Sequence, residues 1–409
     1  MYSGQLNTMS DSATQSDVFM EIRKKLQSCL LVLSGTLAKE PSDVEISTRP
    51  PSWLQIRTSD FCCIIELPAE VSITLPLSRE LPKIEEDGLY MRLHVQNNDN
   101  AEVLPSLIIS LKAQKSYVLA CQSCGNVIVF ERTFHRVLPL PSGNWNALVE
   151  DWCCHPDPFA NKKLLPKEED CLLGDTFILL SWHSVVNEAL VKNSEKADSQ
   201  QKFHENKFQK SKEVVHVTCQ RCRRVLGESV SSDTVKLYIT ELIVKSPTNL
   251  TNHFDMENRY QFVENAVACR LLEISSVYST FRFSIQGHDG KILLLLWLLN
   301  TDTLLVSSSK TAADTAESDL FTDNSITKHH SHKARNVIKI LYLHCLTSTH
   351  HDVIEAWEKD IGVQPLTLPV ETCHELIHIL STSNATLPSS MRTFQTFQVA
   401  FLKLRCKQK

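Results

Sequence analysis

The sequence predicts an α+β fold rich in β-structure, a mixed architecture in which a zinc-stapled sheet carries a few covering helices. Three observations lead there. Short runs rich in β-branched and aromatic residues dominate the chain and are broken by Pro, Ser, Asp or Asn. Few segments alternate strand, helix and strand in the manner of a parallel sheet. Two Cys-x-x-Cys pairs, "LACQSCGNVIVF" and "VTCQRCRRVLGE", sit far apart beside strand-like runs.

The elements follow in order. Residues 1–17 read as a disordered polar tail. Region 18–189 opens with the strand candidates "CLLVLSGTL", "DVEISTR", "WLQIRT", "FCCIIEL" and "LYMRLHVQ". "SYVLACQSCGNVIVFERTFHRVLPL" reads as strand, tight turn and strand, with the first cysteine pair in the turn. "NWNALVEDW" reads as a short helix, and "DTFILLSWHSV" as another strand. Residues 190–212 are polar and mixed in charge, which marks a linker or insertion. Region 213–307 carries the second cysteine pair, the strand "TVKLYITELIV" and a helix over "NRYQFVENAVACRLLEISS". A meander of "FRFSIQ", "KILLLLWLL" and "TLLVSS" follows, with "HDG" as its first turn. Residues 308–332 read as a second disordered insertion. Region 333–409 alternates the strand "VIKILYLH", the helices "DVIEAWEKD" and "VETCHELIHIL", and the strand "FQTFQVAFLKL".

Composition narrows the function. The net charge of −5 supplies no global basic field, so direct nucleic-acid binding is not expected. Ten glycines, with no G-x-G-x-x-G and no phosphate-loop signature, argue against nucleotide binding. The apolar run Ile292 to Leu299 is too short to cross a bilayer. The first residues lack the apolar core of an export signal, so the chain is expected in a reducing compartment, with most of its 14 cysteines as buried hydrophobes.

The paired cysteines need another explanation. Two thiolates on one tight turn present both sulfurs to one ion, and two such turns complete a tetrahedral zinc site. Cys121, Cys124, Cys219 and Cys222 are the candidate ligands of a structural Zn. Ninety-four residues separate Cys124 from Cys219, so a shared ion staples distant parts of the sheet. Two other readings stay open. Each pair can form its own site with further ligands such as Cys153, Cys154 or His155. Either pair can be a redox dithiol, although neither lies in a thioredoxin-like βαβ context.

"NWNALVEDWCCHPDPF" is the second unusual stretch. Pro156 and Pro158 stop the helix and stiffen the chain after His155. Trp145 and Trp152 are aromatic anchors suited to a partner. With Cys154, His155 and Pro156 they form a candidate contact surface. The plain alternative is a helix stop anchored by tryptophan, with Cys154 and His155 as internal ligands or core.

In this order, "ACQSCG", "NWNALVEDWCCHPDP", "LGDTFILLSW", "VTCQRCRRVLG" and the apolar C-terminal half resemble the HECT-like ubiquitin ligases that bind ubiquitin-conjugating enzymes. The resemblance spans nearly the whole chain. It implies a cytoplasmic ligase that takes ubiquitin from a conjugating enzyme and passes it to a substrate lysine or to itself. It also implies a partnership with the zinc endonuclease that cleaves pre-mRNA before polyadenylation. A transfer cysteine would have to lie late in the chain, at Cys345, Cys373 or Cys406. Cys373 lies near a helix start, where the dipole lowers a thiol pKa. Each of the three nonetheless reads first as a core residue.

Two function classes therefore stand. One is a ligase, either through a cysteine thioester or by holding a charged conjugating enzyme near its substrate. The other is a non-enzymatic binding protein or assembly chaperone that holds a zinc-dependent nuclease through "WCCHPDP". In that version Cys154 or His155 would reach an open position on the nuclease's catalytic zinc. The conjugating-enzyme contact is expected near the second cysteine turn and the strand carrying Val235, Leu237 and Ile239. The alternation along that strand suggests one buried and one available face.

Overall fold

The computed structural model describes residues 16–49, 52–59, 61–74, 81–97, 111–141, 164–194, 215–247, 258–307, 329–346 and 349–405. They divide into two units. The first combines 1–103, 298–342 and 378–405, and the second combines 104–297, 343–377 and 406–409. The units cut across the linear regions that linker composition suggests. The cause is non-local pairing: strand Val18–Arg23 pairs antiparallel with residues 303–307.

Eight strands, all but residues 292–297 and 343–344 within the first unit, lie in the order Thr393–Phe394, Phe397–Lys403, Arg335–His344, Ile292–Ser307, Val18–Arg23, Ser28–Ser34, Gly88–Asn97 and Val71–Thr74. Residues alternate between the faces of a strand. Val18, Met20 and Ile22 therefore point one way, and they meet Leu54, Ile56 and Ile65 of a smaller four-stranded sheet. Each such apolar side chain taken from water stabilises by roughly 1.5–3 kcal/mol. The opposite face buries Phe19 against Phe401, with ring centroids 6.2 Å apart. It also buries an ion pair. Glu21 is 1% exposed and accepts from Lys339 Nζ at 2.8 and 3.0 Å. Burial pulls the Lys339 pKa down and the Glu21 charge opposes that shift.

The second unit holds a seven-stranded sheet in the order Arg136–Pro139, Asp170–Leu173, Phe177–Ser181, Thr234–Tyr238, Val225–Ser229, Val215–Cys219 and Leu190–Ser194. A three-stranded sheet of Val127–Thr133, Ser116–Cys121 and Leu242–Lys245 shares its core, which includes Leu119, Ile128, Leu180, Val217, Leu226 and Leu237. Helix α1, Arg259–Tyr278, starts where Asn258 Oδ1 accepts from the Tyr260 N–H at 3.0 Å. It buries Val263, Val267, Leu271 and Ile274 at helical spacing. It stops at Ser279, whose φ of 53° is left-handed. Helices α2, His351–Glu358, and α3, Val370–Ala385, complete the helical content among the described residues.

The α+β, β-rich class stands, and parallel neighbours are few, such as Arg282–Gln286 beside Val363–Thr367. Four details differ from the sequence reading. "TVKLYITELIV" is two strands, Thr234–Tyr238 and Leu242–Lys245, in different sheets, with Ile239 in the 3-10 turn between them. "KILLLLWLL" and "TLLVSS" are one 16-residue strand, Ile292–Ser307, because the "NTD" between them stays in the ladder. Residues 190–194, read as the start of a linker, pair with Val215–Cys219. Residues 329–332, read as disordered, belong to a strand that pairs in parallel with Cys62–Glu66. The "HDG" turn forms as expected, closed by Gly287 N–H donating to Lys291 O at 3.0 Å. The helix expected over "NWNALVEDW" lies outside the described residues.

Candidate metal centre

The two cysteine pairs meet. The Sγ atoms of Cys121, Cys124, Cys219 and Cys222 all lie within 4.8 Å of one another. Cys121 to Cys222 and Cys124 to Cys219 are each 3.6 Å. A tetrahedral ion with metal–sulfur bonds of ~2.3 Å needs sulfur–sulfur edges of about 3.8 Å. The donor set therefore fits a closed four-sulfur site with no position left for substrate.

Each turn is built by the same bonds. Cys121 N–H donates to Asn126 O at 2.8 Å, and Cys219 N–H donates to Arg224 O at 2.9 Å. Gly125 N–H returns to Cys121 O at 2.8 Å, as Arg223 N–H returns to Cys219 O at 2.9 Å. Both closures need left-handed backbone, with φ of 72° at Gly125 and 64° at Arg223.

The likeness extends beyond the turns. A 3-10 turn at Asn187–Ala189 leads into strand Leu190–Ser194, and one at Ile239–Glu241 leads into strand Leu242–Lys245. Leu190 sits opposite Cys219, and Leu242 sits opposite Cys121. Gln220 N–H bonds Ala189 O and Gln122 N–H bonds Glu241 O, both at 2.9 Å. The unit therefore contains two copies of one motif, each lending its last strand to the other copy's cysteine turn. Aligned "ACQSCGNVI" and "TCQRCRRVL" carry this signal in the sequence.

Without an ion, burial opposes the charged form of these thiols. Burial pushes the Cys121 thiol well above its ordinary range and the Cys124 thiol up to about 11. At Cys219 burial acts the same way, but the N–H groups of Cys222 and Arg221 and the thiols of Cys124 and Cys222 outweigh it and lower the pKa. A bound divalent ion would stabilise all four as thiolates.

An ion network ties both turns, through Gln122 of the first and Arg224 at the end of the second, to helices α1 and α3. Glu241 is 0% exposed and takes Arg224 Nε at 2.7 Å and Arg259 Nη2 at 2.6 Å. Thr372 Oγ1 adds a third bond at 2.6 Å. Glu375 of α3 takes Arg224 at 2.9 Å and Arg259 at 3.0 Å. Arg259 also donates to Gln122 Oε1 at 3.2 Å and to Thr240 O. No local pattern in the chain announces this cluster, because its partners lie up to 151 residues apart.

The other candidate residues fall as follows. Val235 and Leu237 are 0% exposed in the core, and Ile239 packs against it partly buried. The opposite face is closed too, since Tyr238 is 1% exposed and bonds Glu228. This strand is central in the sheet, between Phe177–Ser181 and Val225–Ser229, so its alternation does not create an open face. Val235 and Leu237 are therefore core residues rather than a contact surface. Cys345 and Cys373 are 4% and 0% exposed. Burial raises Cys345 to about 11, and burial with the Asp289 charge raises Cys373 to about 12. Burial thus overrides the helix dipole at Cys373. Trp145, Trp152, Cys153, Cys154, His155, Pro156 and Cys406 lie outside the described residues.

The comparisons with known proteins agree with one another. The family described as HECT-like Ubiquitin-conjugating enzyme (E2)-binding matches residues 21–399. The chain belongs to this family. A mouse protein named as an E3 ubiquitin-protein ligase is 42% identical over 396 residues, covering 97% of this chain and 100% of that relative. Its human namesake is 42% identical over 406 residues, again covering 97% and 100%. No solved structure matches the chain. In this member of the HECT-like E2-binding family, the close packing around the second cysteine turn is exacting. A Cβ on Gly227 would lie 1.8 Å from Lys236 O. Gly227→Ala is expected to lower stability by about 1–3 kcal/mol, read as a lower melting temperature.

Proposed function

We propose that this chain is a ubiquitin-protein ligase that docks a ubiquitin-charged conjugating enzyme and promotes transfer without forming its own thioester. Membership of an E2-binding family supports the docking partner. The observation that carries the non-covalent route is burial: among the described residues, every cysteine outside the four-sulfur centre is buried. A transfer cysteine must reach the thioester and ionise, and Cys345 and Cys373 meet neither requirement.

In this reading a lysine amine of the substrate, or of this chain, attacks the thioester carbonyl of ubiquitin. The isopeptide bond forms, the conjugating enzyme's thiolate leaves, and the amine loses its proton. The chain contributes proximity and orientation. Zinc is the ion we assign to the four cysteines. It would be a crosslink with no direct role in the transfer, because four sulfurs close its coordination.

The test supplies activating enzyme, conjugating enzyme and ubiquitin to the full chain. Cys345→Ser and Cys373→Ser are expected to discharge the conjugating enzyme at the wild-type rate. No ubiquitin adduct removable by reducing agent should form on the chain. Such an adduct, lost in one cysteine variant, would establish the covalent route instead.

The partnership with the polyadenylation endonuclease belongs to the same proposal and rests on the resemblance at "WCCHPDP". Pull-down with Cys154→Ala and His155→Ala, each checked for folding and metal content, tests it. Full binding by both would end it.

A further inference from the structure

The duplicated motif leaves its two cysteine turns in opposite environments. In the first, Gln122 is 1% exposed and its side chain takes Arg259 from α1. Helix α3 adds Glu375, whose carboxylate is gripped by two arginines, Arg224 and Arg259. In the second, Gln220, Arg221 and Cys222 are exposed. The backbone frame is the same, down to the bond from the glutamine N–H to the end of a 3-10 turn. At its glutamine the first copy is thus covered by protein and the second is uncovered among the described residues, while Arg224 at the end of the second turn already belongs to the covering network.

The uncovered copy also shows what it lacks. Arg223 Nη1 reaches Gln220 Oε1 at 3.5 Å, so an arginine already stands at the glutamine, as Arg259 does in the covered copy. Arg221 donates to Cys124 O at 3.3 Å. Among the described residues neither arginine has a carboxylate partner, whereas the covered copy has one from a docked helix. Arg223 further holds φ 64° at the position where the twin turn uses glycine.

We infer that the second cysteine turn is the docking surface for the conjugating enzyme, with Arg221 and Arg223 receiving a carboxylate from it as Arg224 and Arg259 receive Glu375. This rests on the ligase reading above. Arginine suits the role because its planar fork meets a carboxylate with two parallel bonds. The four sulfurs beneath keep the turn rigid, which lowers the ordering cost of docking. The surface is separate from the buried strand of Val235 and Leu237, yet adjoins it in the chain.

The experiment measures binding of full-length protein to a panel of purified ubiquitin-conjugating enzymes by calorimetry, at two salt concentrations. Arg221→Glu with Arg223→Glu is expected to weaken binding at least tenfold, with the control Lys115→Glu unchanged. Arg223→Gly restores the twin's residue. It is expected to melt no lower than wild type, keep its metal and still bind several-fold more weakly, with less salt dependence. Arg223→Lys is expected to retain part of the affinity. If wild type binds a conjugating enzyme and the arginine variants bind it equally well, this surface is wrong while the ligase reading stands. If wild type binds none of the panel, the ligase reading fails and this surface falls with it.

Discussion

Cys219→Ser is expected to abolish metal binding at the four-cysteine group and with it most of the stability of the second unit. Cys219 is fully buried beneath the turn and its sulfur lies 3.6 Å from Cys124. A serine there leaves three sulfurs and an unpaired hydroxyl in the core. Structural zinc in finger peptides binds with about 10–16 kcal/mol, and a whole domain is stable by only about 5–15 kcal/mol. A binding energy of that size is comparable with the whole stability of the unit. The effect should be shared by Cys121→Ser, because the two copies exchange strands across the centre and neither turn has the other's sulfurs alone. Thermal melts with parallel metal analysis check it. Wild-type melting by metal-depleted protein would contradict the structural role.

Glu241→Ala is expected to cost about 3–5 kcal/mol, the range for removing one member of a buried ion pair. The large value follows from what remains. Arg224 and Arg259, with side chains 19% and 17% exposed, would share Glu375 as their one remaining carboxylate, Arg259 keeping its bonds to Gln122, Thr240 and Thr372. Thr372 would lose its acceptor as well. Pairing Glu241→Ala with Arg259→Met removes one stranded charge and should recover part of the loss, since the two sites share a bond. Urea denaturation gives the values. Metal content should stay at the wild-type level, because no ligand is touched. A loss under about 1 kcal/mol, the ordinary worth of an exposed pair, would show that the network is solvated in solution.

What the sequence could reveal followed from how local each signal is. Most of the strand runs, the helix Arg259–Tyr278 and the "HDG" turn are written within a few neighbouring residues, and these form where expected. The four cysteines were legible as a set because sulfur spacing is specific chemistry, even across the 94 residues between the pairs. The strand of Val235 and Leu237 misled for a physical reason. Its alternation with Lys236 and Tyr238 implied a solvated face, yet Lys236 lies over the Phe177 ring at 4.8 Å and pairs with Glu228 at 3.3 Å. A polar residue on a central strand can be satisfied by neighbours that only the fold supplies. Glu241 and Arg259 were invisible for the same reason. The duplication was partly visible in "CQSC" and "CQRC", but strand exchange between the copies depends on pairings that periodicity does not encode.

X-ray absorption at the zinc edge of the full-length protein, with metal stoichiometry from the same sample, tests the shared centre most directly. The account predicts one zinc per chain, surrounded by four sulfurs at about 2.3 Å. A shell mixing sulfur with nitrogen or oxygen, two zinc ions per chain, or no zinc at all would contradict a single site formed by Cys121, Cys124, Cys219 and Cys222.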